Sequence, residues 1–576
     1  MILELLSRDR RRHARLTKII VLRVERVGAA NHLAIGIPSI PHGTGLVRPS
    51  ALAAIGRIDR RIAAVLVGHL AVEHIGVDRH LGTVDRQLVK LLALCLYICP
   101  TRGRVCPGIG GHMTLDAVML SRLQWSWVIA WHILLPAFTV GLASYIAVLE
   151  GLHFFSGREI WFRISNFWTR IFAVSFGMGV ASGIIMPFQF GTNWSRFTDA
   201  TADVLSPMMA YEGLMAFFLE STFLGVLLFG RRLVPSWAHF FAALMVASGT
   251  LLSSFWILST NSWMQTPQGY KIVDGRFEPV DWLAIVFNPS FPYRLFHNVT
   301  AFYITTAFVV MGIGAWLLRR GRASEDSRMM IRMALGLLII LVPLQIFLGD
   351  EHGLNTLEYQ PAKLAAIEGI YTTAQPAPLT LFGIPDDQAA TMLYPVEIPH
   401  LGSLILTHSW GGAIKGLKDW PENERPPVAL PFFAFRIMVG IGFIMLFVAI
   451  VGVVLQLRGR LWDSDWFMRI CPWVAPLGFI AVVAGWITTE VGRQPWTVYG
   501  LMRTAESVSP SLTATDVTLS LALYIIVYLI MFPTGIAFMA MLVRRGPQQQ
   551  DLEAIRVESG LPNRPFENAA RTASDS

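Results

Sequence analysis

From Leu123 onward the chain alternates long apolar runs with short polar connections, and the runs are close to 20 residues long. A helix needs about that length to cross roughly 30 Å of hydrocarbon. Nine runs are predicted as membrane spans: 124–149, 169–190, 207–229, 236–259, 294–318, 330–348, 431–457, 471–489 and 518–543. No soluble domain fits between them. The connection 349–430 is much longer than the others, and connections of that length are usually functional. The predicted fold is an all-α polytopic membrane protein. Transmembrane helices 1–6 lie within 113–348, a long outer loop occupies 349–430, and helices 7–9 lie within 431–543. A disordered cytoplasmic tail covers 544–576.

Basic residues beside the spans set the orientation. Alternate connections, from Arg158 through Arg231, Arg319 and Arg458 to Arg544 and their neighbours, carry 15 arginines, and the opposite side carries 6 Lys or Arg. The first side is expected to be cytoplasmic. The true N-terminus and the 349–430 loop then face outward, and the C-terminus lies inside.

Composition agrees: 53% of residues are hydrophobic and 15% charged, against about 25% charged in soluble domains. The 18 Trp and 35 Phe suit interfacial aromatic belts. Residues 1–112 differ sharply, with 17 Lys and Arg against 7 Asp and Glu, and no Trp or Phe. They are expected to be non-native, an over-long reading frame with Met113 as the start, or else a disordered basic extension. The net charge of +8 is therefore no pointer to nucleic acid. Cys95, Cys99 and Cys106 lack a fourth ligand at zinc-site spacing.

An ionisable side chain inside a membrane costs about 2.5–3.5 kcal/mol on insertion scales, so each needs a partner or a role. The candidates are His132, Glu212, Glu220, His297, Arg436 and Glu490, with Met438 as a soft ligand. Under the expected topology all but the deeper Glu220 lie toward the outer face, beside the long loop. A single helical His is more often a packing residue, an Arg near a span end usually snorkels, and Met438 alone would be core. His239, on the cytoplasmic side, is expected to join no cluster. Two His, two carboxylates and a Met in one layer point instead to a cofactor site. With only His132, His239 and His297 in spans, a three-His copper centre with further haem ligands cannot be built. Paired bis-His haems also lack enough histidines. Mixed His, Met and carboxylate ligation of haem iron stays open.

The residues from Met113 to about Ala540 resemble subunit I of the cytochrome bd quinol oxidases, including the cyanide-insensitive branch. The resemblance is carried by Leu120-Ser121-Arg122-Leu123-Gln124, Gln189-Phe190-Gly191-Thr192-Asn193-Trp194 and Glu212-Gly213-Leu214-Met215-Ala216-Phe217-Phe218-Leu219-Glu220-Ser221. It continues through Trp263-Met264-Gln265, Gly349-Asp350-Glu351, Lys363-Leu364-Ala365-Ala366-Ile367-Glu368, Phe435-Arg436-Ile437-Met438 and Gly492-Arg493-Gln494-Pro495-Trp496.

The resemblance implies three haems. His297 and Met438 match the axial pair of a low-spin haem b, with Arg436 near its propionates or edge. His132 matches the haem d ligand and Glu490 that of a high-spin haem b. Trp486 lies one turn before Glu490 and can share its face; the family has a tryptophan there between haems. Arg493 and Arg122 match arginines near haem carboxylates. Glu212 matches a carboxylate near haem d, and Glu220, with Ser221 and Ser253, the proton route. Lys363, Glu368 and Asp350 match the quinol-binding loop, in its short form. Lys363 and Glu368, five residues apart, would point about 140° apart on a helix.

The implied activity is electrogenic quinol:oxygen oxidoreduction without a proton pump, in a bacterial inner membrane. Protons for water would come from the cytoplasm, and those of quinol would leave outside. A second membrane subunit, subunit II, and a small single-span subunit are the implied partners. A haem-free secondary transporter with midplane carboxylates is the rival class; it predicts inverted repeats, and none occurs at corresponding positions. A quinol–cytochrome reductase of the cytochrome b class lacks the histidines.

Overall fold

The computed structural model describes residues 116–548. The expectations for 1–112 and for the tail beyond Pro547 fall largely outside them. Among the described residues nine helices are long and apolar enough to span a membrane. Spans one to four are Ala117–Ser156, Glu159–Thr192, Ser195–Arg232 and Ser236–Gln265. Spans five and six are Trp282–Arg319 and Ser324–Tyr359. Spans seven to nine are Ala429–Leu457, Asp465–Val491 and Ala514–Arg545. Each contains its expected apolar run and extends beyond it, because polar first and last turns still propagate a helix. Arg544 and Arg545, expected in the tail, form the last turn of span nine.

Span five is the most enclosed and packs on spans one, six and eight. Lipid removes the hydrophobic drive between helices, so close approach and interhelical hydrogen bonds hold them together. Gly141 of span one illustrates this: a Cβ there would lie 2.4 Å from Thr306 Oγ1 of span five. That hydroxyl donates to the Phe138 carbonyl at 2.9 Å. Gly312 likewise lets span five meet the Cys471 carbonyl of span eight.

Two irregularities matter for chemistry. Span one is regular over Ala117–His132 and resumes over Pro136–Ser156. Pro136 has no N–H, and its ring clashes with the carbonyl four residues back, which is that of His132. The break therefore falls at a candidate ligand, whose carbonyl instead accepts from Leu135 N at 3.0 Å. Span three holds a π-helical turn at Glu212–Phe217.

The outer connection differs from expectation in two ways. Span six continues through Gly349 and Asp350 to Tyr359, so the connection starts about ten residues later. It is also ordered: a helix at Pro361–Glu368, a hairpin pairing Leu379–Asp386 with Thr391–Ile398, and a helix at Leu401–Thr407. Lys363 and Glu368 lie in what the sequence marks as a long outer loop, yet they are only 2% and 4% exposed. Their helix lies on spans six and seven, which covers both side chains.

Candidate functional site

Span eight presents Trp486 and Glu490 on one face, as their spacing requires. Both line a cavity with Arg122 and Trp125 of span one, Trp194, Asn261 and Arg493. Glu490 pairs with Arg493 at 2.5 Å and accepts from Asn261 Nδ2 at 2.9 Å and Gln265 Nε2 at 3.3 Å. Lys363 enters from the outer connection, donating to Gln265 Oε1 at 3.1 Å and Gln360 Oε1 at 3.3 Å. Burial pushes the Lys363 ammonium well below its ordinary value; Arg294 and Arg493 add to this and Glu490 opposes it.

The group gathers more basic side chains than carboxylates. Arg294, Lys363 and Arg493 all act on Glu490, and all three are buried. Among the described residues, Arg294 Nε and both Nε and Nη1 of Arg493 have no partner. Buried charges normally occur paired, so these donors fit additional carboxylates, such as the propionates of a haem.

The candidate ligands share a packing feature. His132, His297 and Met438 each face a glycine on a neighbouring helix. A Cβ at Gly183 would sit 3.1 Å from His132 Cε1, at Gly349 3.3 Å from His297 Cε1, and at Gly485 2.9 Å from Met438 Sδ. His132 Nδ1 also meets Ser182 Oγ at 2.9 Å. His297 Nε2 lies 3.1 Å from Gln345 Nε2, and its Nδ1 has no partner among the described residues. Among the described residues no three His, Cys, Asp or Glu side chains gather as a bare-metal site. His, Met and carboxylate side chains of this kind would suit the iron of a bound haem.

Not every expected residue joins these sites. Arg436 directs its guanidinium into the outer connection. It donates to Glu368 Oε2 at 3.1 Å, to the Thr380 carbonyl at 2.7 Å and to the Ile367 carbonyl at 2.5 Å. Burial raises the Glu368 carboxyl above its ordinary value, and Arg436 pulls it back. Lys363 and Glu368 thus diverge from one helix, as their angular spacing requires. Asp350 stands apart and pairs with His408 at 3.1 Å.

Glu212 accepts from Ser253 Oγ of span four at 3.0 Å, and Glu220 Cγ would lie 2.6 Å from a Cβ at Gly249. Residues eight apart are about 80° out of phase on a regular α-helix. The π turn between them underwinds span three, and both carboxylates meet span four one turn apart. Such turns cluster at functional sites. Ser221 instead bonds its own helix, at the Phe218 carbonyl. His239 departs from expectation: it is buried and bonded to Glu150 at 3.2 Å, because span one brings a carboxylate that a reading of single spans cannot see.

Arg294 and His352 were missed. Arg294 lies three residues before His297, on its face, and that spacing was the available signal. His352 packs edge-on to His297 with centroids 5.7 Å apart; no pattern in the sequence announces this contact.

The family model for cytochrome bd terminal oxidase subunit I matches residues 120–547. Cytochrome bd ubiquinol oxidase subunit 1 of Bacillus subtilis is 35% identical, the match spanning 72% of this chain and 91% of the relative. Cytochrome bd-II ubiquinol oxidase subunit 1 of Escherichia coli is 32% identical, over 77% and 100% respectively. The structure of bd oxidase from Geobacillus thermodenitrificans is similar with a TM-score of 0.70 and 31% identity, covering 75% of this chain and 99% of that one. With the family pattern running through all nine spans, this chain belongs to the cytochrome bd terminal oxidase subunit I family.

Proposed function

We propose that this chain is the haem-bearing subunit of a quinol:oxygen oxidoreductase of a bacterial inner membrane. Quinol is oxidised at the outer face and oxygen is reduced to water. Protons are drawn from the cytoplasm and released outside, which separates charge without a conformational pump. The observation that carries the reading is the buried surplus of basic side chains around Glu490, with its unpartnered arginine donors. A transporter carboxylate would not need three buried basic side chains beside it.

His297 and Met438 would hold a low-spin haem b, Glu490 a high-spin haem b and His132 haem d. Arg493, Arg294, Lys363 and Arg122 would receive their carboxylates. Bound there, the haems supply the electron path from quinol to oxygen. Trp486 lines the same cavity as Glu490, where it would stand beside the bound haems.

The remaining roles belong to the protein. Arg436 fastens the outer connection to span seven through Glu368 and two carbonyls. A carboxyl raised by burial holds a proton better than a free one, so Glu368 serves as the acceptor for a quinol hydroxyl proton. Asp350, tied to His408, closes the same connection. On the proton route, Ser253 and Glu212 form one hydrogen-bonded step and Glu220 another along span four; Ser221 extends the polar line. Subunit II and a small single-span subunit complete the enzyme. The N-terminus of span one faces outward, and the C-terminus the cytoplasm.

The test is an absorption spectrum of the purified enzyme, reduced, with and without carbon monoxide, beside oxygen consumption with quinol. A chlorin band in the red that shifts with carbon monoxide is expected. A protein without haem absorbance that consumes no oxygen overturns the reading.

A further inference from the structure

A buried polar cluster joins spans one to four at the arginine-rich end, away from the haem ligands. Glu150 of span one accepts from Ser165 of span two, from Arg231 at the end of span three and from His239 of span four. Glu150 and His239 are each 2% exposed and Ser165 is fully buried, whereas the Arg231 side chain is 20% exposed. Arg231 also lies over the Phe162 ring at 4.7 Å. His153, one turn beyond Glu150, turns to the Arg158 carbonyl at 3.3 Å.

The imidazole sits between two oxygens. Its Nδ1 is 3.2 Å from Glu150 Oε2, and its Nε2 is 3.0 Å from the Leu227 carbonyl. Both are acceptors while Glu150 is ionised, so both nitrogens can donate only as the imidazolium. A neutral ring would turn a lone pair toward an oxygen, or require a protonated carboxyl beside Arg231. Arg231 already balances Glu150 and cannot release a proton. Of these three side chains, His239 therefore holds the proton the cluster can exchange.

We infer that Glu150, His239 and Arg231 form a proton-loading site at the cytoplasmic entrance of the path to Glu220. This rests on the proposed uptake of protons from that side. Span three carries Leu227 and Glu220 seven residues apart, about 10 Å by helical rise. Span four carries His239 and, ten residues on, Gly249, which meets Glu220. The buried span-four residues between them are Ala242, Ala243, Val246 and Ala247. None can carry a proton, so transfer onward requires water between the helices. In each cycle His239 gives one proton to that water and regains one from the aqueous side past the exposed edge of Arg231. No electrons move.

The test uses the purified holoenzyme in proteoliposomes, with oxygen consumption from quinol measured across pH. His239→Gln should keep its haem spectrum and its rate of haem reduction by quinol without oxygen, while turnover with oxygen falls about a hundredfold. Glu150→Gln removes the anion that holds the imidazolium, so its rate should begin to fall at lower pH than in the parent. Arg231→Gln removes the competing cation, so its rate should hold to higher pH. Opposite displacements are the signature of a loaded proton, since a purely structural cluster would give equal losses without displacement. Variants with full haem and parental rates at every pH, or losses that leave the pH profile in place, overturn the inference. If the parent itself lacks haem or oxidase activity, the proposed function fails instead.

Discussion

Glu368→Ala tests whether the outer connection is held by a buried ion pair. Removing one partner of such a pair costs about 3–5 kcal/mol, because the other charge stays buried. Arg436 keeps its bonds to the Thr380, Ile367 and Phe432 carbonyls and is 18% exposed, which places the cost near the lower end, about 3 kcal/mol. The pair joins Pro361–Glu368 to span seven, so the loss falls on local opening. At 1.4 kcal/mol per factor of ten, the opened fraction rises about a hundredfold. Hydrogen exchange followed by mass spectrometry on the holoenzyme should show amides of 361–386 exchanging faster by that factor, with span five unchanged and haem retained. Unchanged exchange in 361–386 would refute the reasoning. The same carboxyl sets a pH dependence. An acid raised by folding contributes stability that is fully present below its ordinary value of 4.5 and lost as pH rises through the raised value. The parent connection should therefore tighten on acidification through that window, and Glu368→Gln should show no such slope.

Met438→Leu conserves volume, which cores tolerate at under about 1.5 kcal/mol. Assembly should persist while the low-spin haem becomes high-spin or falls in potential, and an unaltered redox titration would return Met438 to packing. Glu490→Ala leaves Arg493 without its partner and should disturb the high-spin haem spectrum. Oxygen consumption should fall even with an artificial donor; retention of spectrum and both activities would contradict its assignment. Gly249→Ala places a Cβ 2.6 Å from Glu220 Cγ and 3.2 Å from the Ala216 carbonyl. Turnover should fall severalfold with haem content retained, and parental turnover would show that Glu220 can move aside freely.

The sequence by itself determined the nine spans, because crossing hydrocarbon demands an apolar run of fixed length, and length and hydropathy are one-dimensional quantities. It also placed Trp486 and Glu490 on one face, and Lys363 and Glu368 on different faces, because helical phase depends only on separation along the chain. What it could not supply were relations between helices. The burial of Lys363 and Glu368 depends on their helix lying against spans six and seven, and a polar connection read alone looks solvated. The surplus of basic side chains around Glu490 draws Arg294 from span five, Lys363 from the outer connection and Arg493 from beyond span eight. His239 finds Glu150 only because spans one and four are neighbours. The glycines facing His132, His297 and Met438 acquire meaning only when a second helix approaches. The π turn that brings Glu212 and Glu220 to span four leaves no periodic trace in residues that are apolar on every side. Tertiary packing decided these features, because in a membrane the partner of a buried charge is set by which helices touch, and nothing in a single apolar run records its neighbours.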